Sequence, residues 1–208
     1  MRPTAPRLLV ITDTTACPVW EKWIPAAIAG GAQHILWREK TLSDHDYLHQ
    51  AQSLWALITP LGAKLLLHNR PHLLPHVAAA GVHMSDGGES LAPIRAQIGE
   101  HLLLGRSCHT LQGASQSFKQ GADYITLSPL FATLSHPGAP HLGPETFAKW
   151  VQQLSGPVLA LGGINVDNAH QAYLAGAHGV ALIREVCTSS DPKAAVEHLL
   201  NHEKRTKA

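Results

Sequence analysis

The chain has 208 residues, of which 45% are hydrophobic. That length suits one domain of about 100–200 residues, and the apolar content excludes a disordered chain, a collagen-like chain and a small disulfide scaffold. Sixteen Lys and Arg residues against fifteen Asp and Glu residues leave a formal charge of +1. This balance excludes the broad positive field that collects nucleic acid or an anionic membrane.

The first predicted element is the short apolar run at 8–13 (LLVITD), which follows a polar start. A secretory signal needs a longer apolar stretch, and no run approaches the roughly 20 residues that span a bilayer. We therefore expect a cytoplasmic protein. Its three cysteines, Cys17, Cys108 and Cys187, have no metal-type spacing, so we expect reduced thiols.

Eight short runs along the chain are apolar on both faces, which is typical of parallel strands covered on both sides. Glycines precede four of them, at Gly31, Gly81, Gly121 and Gly176, where a glycine suits the left-handed end of a helix. The predicted strands are 8–13, 34–39, 64–68, 81–84, 102–107, 124–129, 158–163 and 179–184.

Helical patterns lie between these runs. Ser43 is a predicted N-cap for a helix to residue 58, and Asp191 caps a later helix that has Pro192 in its first position. His72 and His76 stand four residues apart on a further predicted helix, but no HExxH pattern surrounds them, so we predict no metal site there.

Alternation of about eight strands and eight helices predicts an α/β protein, a (β/α)8 TIM barrel that forms a single domain over 1–208. A doubly wound open sheet is the alternative, and the lack of a GxGxxG after the first strand counts against it.

In such a barrel the site lies where the strands end. Gly162 and Gly163 end the seventh strand and Arg184 ends the eighth, which predicts a phosphate site of backbone amides and one cation. The alternative is a tight turn, with Arg184 paired to Glu185.

A second basic pair, Arg38 and Lys40, ends the second strand. Alternate residues of an extended segment share one side, so both cations could face one anion. The alternative is a solvated pair, or one that the intervening Glu39 neutralises.

The loop at 128–143 is long enough to be functional. It offers Thr133, Ser135 and His136, while His109 directly follows the fifth strand and is the better candidate for a general base. Cys108, its neighbour, points to the opposite side and is predicted to be a buried packing residue.

Several segments together resemble the thiamine phosphate synthase and TenI-like thiazole tautomerase superfamily, over almost the whole chain. The amino-acid sequence of the loop at 128–143, together with the SCH and ALGGI motifs, is most similar to the sequences of TenI-like domains fused behind Nudix hydrolases. The matching segments are ILWREK at 35–40, HNR at 68–70, AAAGVHM at 78–84, GRSCHT at 105–110, the stretch at 121–143, LALGGI at 159–164 and AGAHGVALI at 175–183.

The resemblance implies a TIM barrel and assigns residues to two ends of its site. The residues that the resemblance assigns to binding on the diphosphate side are Arg38, Lys40, Asn69, Ser107, Thr133 and Ser135. Those assigned to binding the phosphate of the thiazole are Gly162, Gly163, Ile183 and Arg184.

The chain also departs from the family pattern. The synthase's two magnesium carboxylates fall at Asn69 and Gly88, and only Asp86, from a shifted loop, could replace them. The tautomerase's catalytic histidine falls at Pro129, which leaves His109 or His136 as the proton-transferring group.

These matches and departures favour a metal-independent TenI-like enzyme that acts on a phosphorylated thiazole, with no cofactor and with His109 and His136 as catalytic candidates. One alternative is a thiamine phosphate synthase that joins a pyrimidine diphosphate to the thiazole phosphate and uses Mg²⁺. The other is a non-catalytic phosphate-ligand protein or an accessory of a Nudix enzyme. We expect no nucleic-acid or membrane partner, and a homo-oligomer is possible.

Overall fold

Eight parallel strands close into one barrel, in which each strand pairs with the next and the eighth pairs with the first. The computed structural model describes residues 3–133, 138 and 140–206. The prediction of a (β/α)8 barrel is confirmed, and the open-sheet alternative is wrong. The strands are β1 Leu8–Ile11, β2 His34–Trp37, β3 Lys64–His68, β4 Gly81–Met84, β5 Leu103–Cys108, β6 Tyr124–Leu127, β7 Val158–Ala160 and β8 Gly179–Leu182.

Helices follow seven of the strands directly, and β3 is the exception. The segment after β3, Pro71–His76, is a 3-10 helix that contains Pro75, which has no backbone N–H to donate. His72 and His76 therefore do not lie on an α-helix. The helices are α1 Trp20–Ala29, α2 Asp44–Ile58, α3 Leu91–Ile98, α4 Leu111–Lys119, α5 Gly143–Val151, α6 Ala169–Leu174, α7 Arg184–Cys187 and α8 Pro192–Thr206, with a second 3-10 helix at Thr59–Leu61.

Two helix starts have the side-chain caps that the sequence predicts. The Asp46 amide donates to Ser43 Oγ over 3.1 Å at the start of α2. The Ala194 amide donates to Asp191 Oδ1 over 3.0 Å at the start of α8. Caps of this kind each contribute roughly 1 kcal/mol to helix stability.

The strands separate two apolar layers, which explains why they are apolar on both faces. Leu9, Leu66 and Leu159 are among the residues that fill the barrel interior. Val10 and Leu67, their chain neighbours on β1 and β3, pack against the surrounding helices. Because neighbouring strand residues point to opposite sides, nearly every strand position is buried in one layer or the other, and the exposed Lys64 at the start of β3 is an exception.

The expectation of reduced thiols is wrong for two of the three cysteines. Cys17, in the segment after β1, is joined to Cys187 at the end of α7 by a disulfide, with their Cα atoms 6.1 Å apart. Closure of the barrel brings the ends of β8 and β1 side by side. Cys108 is free and fully buried, as predicted for a packing residue. Burial raises the pKa of its thiol to about 11, so it is not a thiolate nucleophile.

None of the helices in the described part of the chain combines the length and the apolar character that a bilayer crossing requires.

Candidate functional site

A cavity of about 450 Å³ opens at the carboxyl ends of the strands. Its floor is apolar, with Ile11 and Leu36 from the barrel interior, and its rim is polar. Residues at the ends of all eight strands contribute to the wall, so the cavity lies on the barrel axis. This is the face on which (β/α)8 barrels carry their sites.

One rim of the cavity is cationic. Arg38 and Lys40 both line it, and neither forms an ion pair within the described residues. Glu39 is buried and turned away, since it accepts hydrogen bonds from the hydroxyls of Thr12 over 3.2 Å and Thr14 over 2.5 Å. The alternative in which Glu39 neutralises the pair is therefore wrong, and both cations are available to an anion.

His68 lies beside this rim, and the positive charges of the rim affect the pKa of its ring. Burial, together with the charges of Arg38, Lys40 and Arg70, lowers the pKa of His68 to about 4. The ring is therefore neutral at pH 7. Its Nε2 lies 3.2 Å from Ser85 Oγ, which also lines the cavity.

Asn69, predicted on the diphosphate side, has its side chain bonded to the chain itself. It has φ of 55°, a left-handed conformation that Asn tolerates. The Ser85 amide donates to its Oδ1 over 2.7 Å, and its Nδ2 donates to Ser85 Oγ over 2.8 Å. Asn69 lines a shallower pocket next to the main cavity. Gly88, the other position at which the family has a carboxylate, carries no side chain. Asp86, the predicted replacement, does line the main cavity.

A second cavity, of about 260 Å³, lies where β7 and β8 end. Gly162 and Gly163 have φ of 94° and 67°, and a Cβ at Gly163 would overlap the Ala132 carbonyl oxygen. Arg184 lines this cavity. Glu185 accepts a hydrogen bond from the Val166 amide over 3.1 Å instead of pairing with Arg184. The predicted alternative of an Arg184–Glu185 pair is therefore wrong.

The two cavities adjoin each other. Thr133, Leu161, Gly162 and Ile183 line both of them. The cationic rim at β2 and the glycine turn at β7 therefore lie on the far sides of two neighbouring cavities. Such an arrangement can hold two anionic groups on molecules that lie side by side.

His109 lies on the wall of the main cavity, and its tautomer is determined by its contact. Nδ1 lies 2.8 Å from the Ser128 carbonyl oxygen, which can only accept, so Nδ1 carries the proton. In the neutral ring Nε2 is then an unprotonated acceptor, as a general base requires. Thr133 lines the cavity nearby, whereas the predicted residues Ser135 and His136 lie outside the described residues.

No role was predicted for four polar side chains of this site, His68, Ser85, Ser128 and His83, of which the first three lie at predicted strand ends. His83 lies inside β4, and its position carried a signal, because a polar residue inside an otherwise apolar buried run needs a partner. His83 has two, with Nδ1 3.1 Å from Tyr124 Oη and Nε2 3.0 Å from Ser107 Oγ. Burial lowers its pKa to about 3, so it too is neutral.

Fold and cavity together define a (β/α)8 barrel with its cavity at the carboxyl ends of the strands, where barrels of this class frequently have a phosphate-binding site after the seventh and eighth strands. Residues 8–186 match the model of the family described as thiamine monophosphate synthase. The chain belongs to that family, and the resemblance to the thiamine phosphate synthase and TenI superfamily is confirmed.

Individual relatives agree with this placement. A putative thiamine-phosphate synthase of Geobacter sulfurreducens is 36% identical over 85% of this chain and 84% of its own length. A thiamine-phosphate synthase of Chloroflexus aurantiacus is 37% identical over 93% and 90%. Among solved structures, a thiamine phosphate pyrophosphorylase from Pyrococcus furiosus is similar with a TM-score of 0.86, at 29% identity over 97% of each chain.

Proposed function

We propose that this chain is a thiamine-phosphate synthase, a transferase that joins a pyrimidine diphosphate to a thiazole phosphate and releases pyrophosphate. The observation that carries the proposal is the pair of adjoining cavities, with one anion-suited end at Arg38 and Lys40 and the other at Gly162, Gly163 and Arg184. A reaction between two phosphorylated substrates needs two such ends, and the curated relatives reported above are named as putative or assigned thiamine-phosphate synthases.

The residues at the two ends have different tasks in this proposal. Arg38, Lys40, Ser107 and Thr133 hold the diphosphate, whose negative charge grows as it leaves, and fixed cations stabilise that charge without reorganising. At the other end, Ile183, Arg184 and the glycine turn hold the phosphate of the thiazole. The apolar floor between them excludes water from the reacting atoms.

The family resemblance also implies Mg²⁺, and the donor set fits it in part. Mg²⁺ is usually bound by one or two carboxylates plus substrate phosphates. Asp86 is a carboxylate on the wall of the cavity, while the Asn69 amide is bonded to Ser85. Asp86, with oxygens of the diphosphate, would therefore hold the ion. When bound, it supplies positive charge to the leaving pyrophosphate.

One observation favours a second candidate, a metal-independent thiazole tautomerase of the TenI type. The bond from His109 to the Ser128 carbonyl leaves an unprotonated Nε2 at the cavity wall, which suits proton transfer. That candidate needs only the thiazole phosphate end of the cavity. His109 is its catalytic residue.

The deciding experiment supplies both substrates and follows thiamine phosphate formation. We expect product with Mg²⁺ and little product with a chelator. Conversion of thiazole tautomers that needs no metal and fails in His109→Ala, without thiamine phosphate, would establish the tautomerase instead. Binding of thiazole phosphate without either reaction would overturn both and leave a ligand-binding protein, such as the predicted Nudix accessory.

A biosynthetic role of this kind fits the cytoplasm, which we propose as its location. Disulfides in that compartment are ordinarily transient or redox-sensing. The oxidation state of Cys17 and Cys187 in intact cells is therefore a direct test of the location.

A further inference from the structure

Two buried side chains, Tyr124 and His83, connect the barrel interior by hydrogen bonds to Ser107, which is partly exposed at the wall of the cavity. Tyr124 on β6 and His83 on β4 are both buried, with exposed fractions of 0% and 2%. Tyr124 Oη lies 3.1 Å from His83 Nδ1, and His83 Nε2 lies 3.0 Å from Ser107 Oγ. Ser107 and His83 line the main cavity, and Tyr124 does not.

Gly105 makes this close approach possible. A Cβ at position 105 would lie 2.5 Å from His83 Nδ1 and would overlap the Tyr124 ring. No larger residue could stand there without displacing the tyrosine from the histidine. The packing of the barrel interior therefore accommodates the Tyr124–His83 hydrogen bond.

The direction of each hydrogen bond follows from counting donors. Burial raises the pKa of Tyr124, so its hydroxyl is protonated, and His83 is its only hydrogen-bond partner within the described residues. If Nδ1 of the neutral ring carried the proton, the Tyr124 O–H would be a buried donor without an acceptor. Tyr124 therefore donates to Nδ1, and the ring proton is on Nε2.

The same count determines the orientation of Ser107. His83 Nε2–H donates to Ser107 Oγ over 3.0 Å, and the Thr126 hydroxyl donates to the same oxygen over 3.4 Å. A hydroxyl has two acceptor sites and one donor. Both acceptor sites are taken from within the protein, so the Ser107 proton is left for the cavity.

We infer that Tyr124 and His83 are positioning residues that hold the Ser107 hydroxyl as a hydrogen-bond donor to the diphosphate group of the substrate. Ser107 then selects an acceptor, such as a phosphate oxygen, and disfavours a donor, such as a ring amine, at that point of the wall. The identity of the anion rests on the proposed function. The orientation of the hydroxyl rests on the hydrogen bonds alone.

The test is a double-mutant cycle on binding of inorganic pyrophosphate, measured by calorimetry in the presence of Mg²⁺. We expect Ser107→Ala to weaken binding by about 10- to 100-fold, as for loss of a charge-assisted hydrogen bond. Tyr124→Phe should weaken it by about 3- to 10-fold. In the Ser107→Ala background Tyr124→Phe should have less than about a twofold effect, because it acts through Ser107.

Tyr173→Phe is the matched control, because Tyr173 is also buried but lines neither cavity. It should leave pyrophosphate binding unchanged. Losses from Ser107→Ala and Tyr124→Phe that simply add would overturn the inference, as would no pyrophosphate binding by the wild type. If the wild type binds pyrophosphate and the effects of the two substitutions are coupled, but no thiamine phosphate forms, the result contradicts the proposed function and supports the positioning role.

A second measurement does not depend on the folding of any variant. In ¹⁵N-histidine-labelled wild-type protein, the ring of His83, identified through its contacts to the Tyr124 ring protons, should carry its proton on Nε2. A proton on Nδ1 would reverse the direction of both hydrogen bonds of His83 and overturn the inference.

Discussion

Cys17 and Cys187 are 170 positions apart in sequence and are joined by a disulfide. The bond connects the segment after β1 to the end of α7, the short helix that begins with Arg184. It therefore links the two sides of the barrel seam where β8 meets β1, and Arg184, at the start of the same helix, lines the proposed phosphate end of the cavity.

Reduction of this disulfide should destabilise the protein. A cross-link that closes so long a loop restricts the unfolded chain, and native disulfides typically contribute about 2–5 kcal/mol. We expect urea denaturation to show a loss of this size in excess dithiothreitol. The double variant Cys17→Ser/Cys187→Ser should match the reduced wild type and should not respond to reductant. Equal stability of the oxidised and reduced wild type would contradict this.

Arg38→Met should weaken pyrophosphate binding by about 10- to 100-fold, because it removes a cation that has no ion-pair partner among the described residues. Lys64→Met is the matched control. Lys64 is exposed at the start of β3, at the opposite end of the barrel, so that loss of one positive charge there should leave pyrophosphate binding within about twofold. Equal losses in both variants would indicate a general charge effect instead of a site.

Gly163→Ala should raise the KM for thiazole phosphate at least about tenfold while leaving pyrophosphate affinity nearly unchanged. A Cβ there would overlap the Ala132 carbonyl oxygen, so the turn must move. Gly62→Ala separates this effect from backbone strain. Gly62 also has a positive φ, of 83°, but has open space around it and lies outside both cavities. Gly62→Ala should cost about 1–2 kcal/mol of stability with kinetics unchanged.

Stability should fall as the pH is lowered below about 6.5. Burial lowers the pKa of His34 to about 4, helped by the charge of Lys64, whereas the unfolded value is 6.5. Between these values the unfolded chain binds the proton and the folded chain does not, so protonation favours unfolding. His34 then accounts for about 2 kcal/mol lost between pH 7 and pH 5.

Denaturation at both pH values tests this, with His34→Gln and the exposed His45→Gln compared. The loss on acidification should shrink in His34→Gln and stay the same in His45→Gln. His68 and His83 add to the wild-type loss for the same reason. A wild type as stable at pH 5 as at pH 7 would show that these rings titrate equally in both states.

The barrel could be predicted from sequence because its strands must bury both faces, which leaves continuous apolar runs such as 64–68 and 158–163. The two ends of the cavity could be predicted for a related reason. Parallel strands end at one face, so Arg38, Gly163 and Arg184 had to share it.

Other features depend on contacts between distant strands, and no local pattern encodes them. The pairing of Cys17 with Cys187 follows only from where the barrel closes. The two hydrogen bonds between the Asn69 side chain and Ser85 depend on the left-handed backbone conformation of Asn69. His83 lies in the middle of a strand, and attention to strand ends alone misses it.

We propose that the two adjoining cavities hold two phosphorylated groups at opposite ends, and a crystal soaked with both thiazole phosphate and pyrophosphate would show it. We expect the phosphate of the thiazole against Gly163 and Arg184, and pyrophosphate against Arg38, Lys40 and Ser107, bound together in one molecule. Both ligands competing for the same end, or pyrophosphate bound away from Arg38 and Lys40, would contradict it.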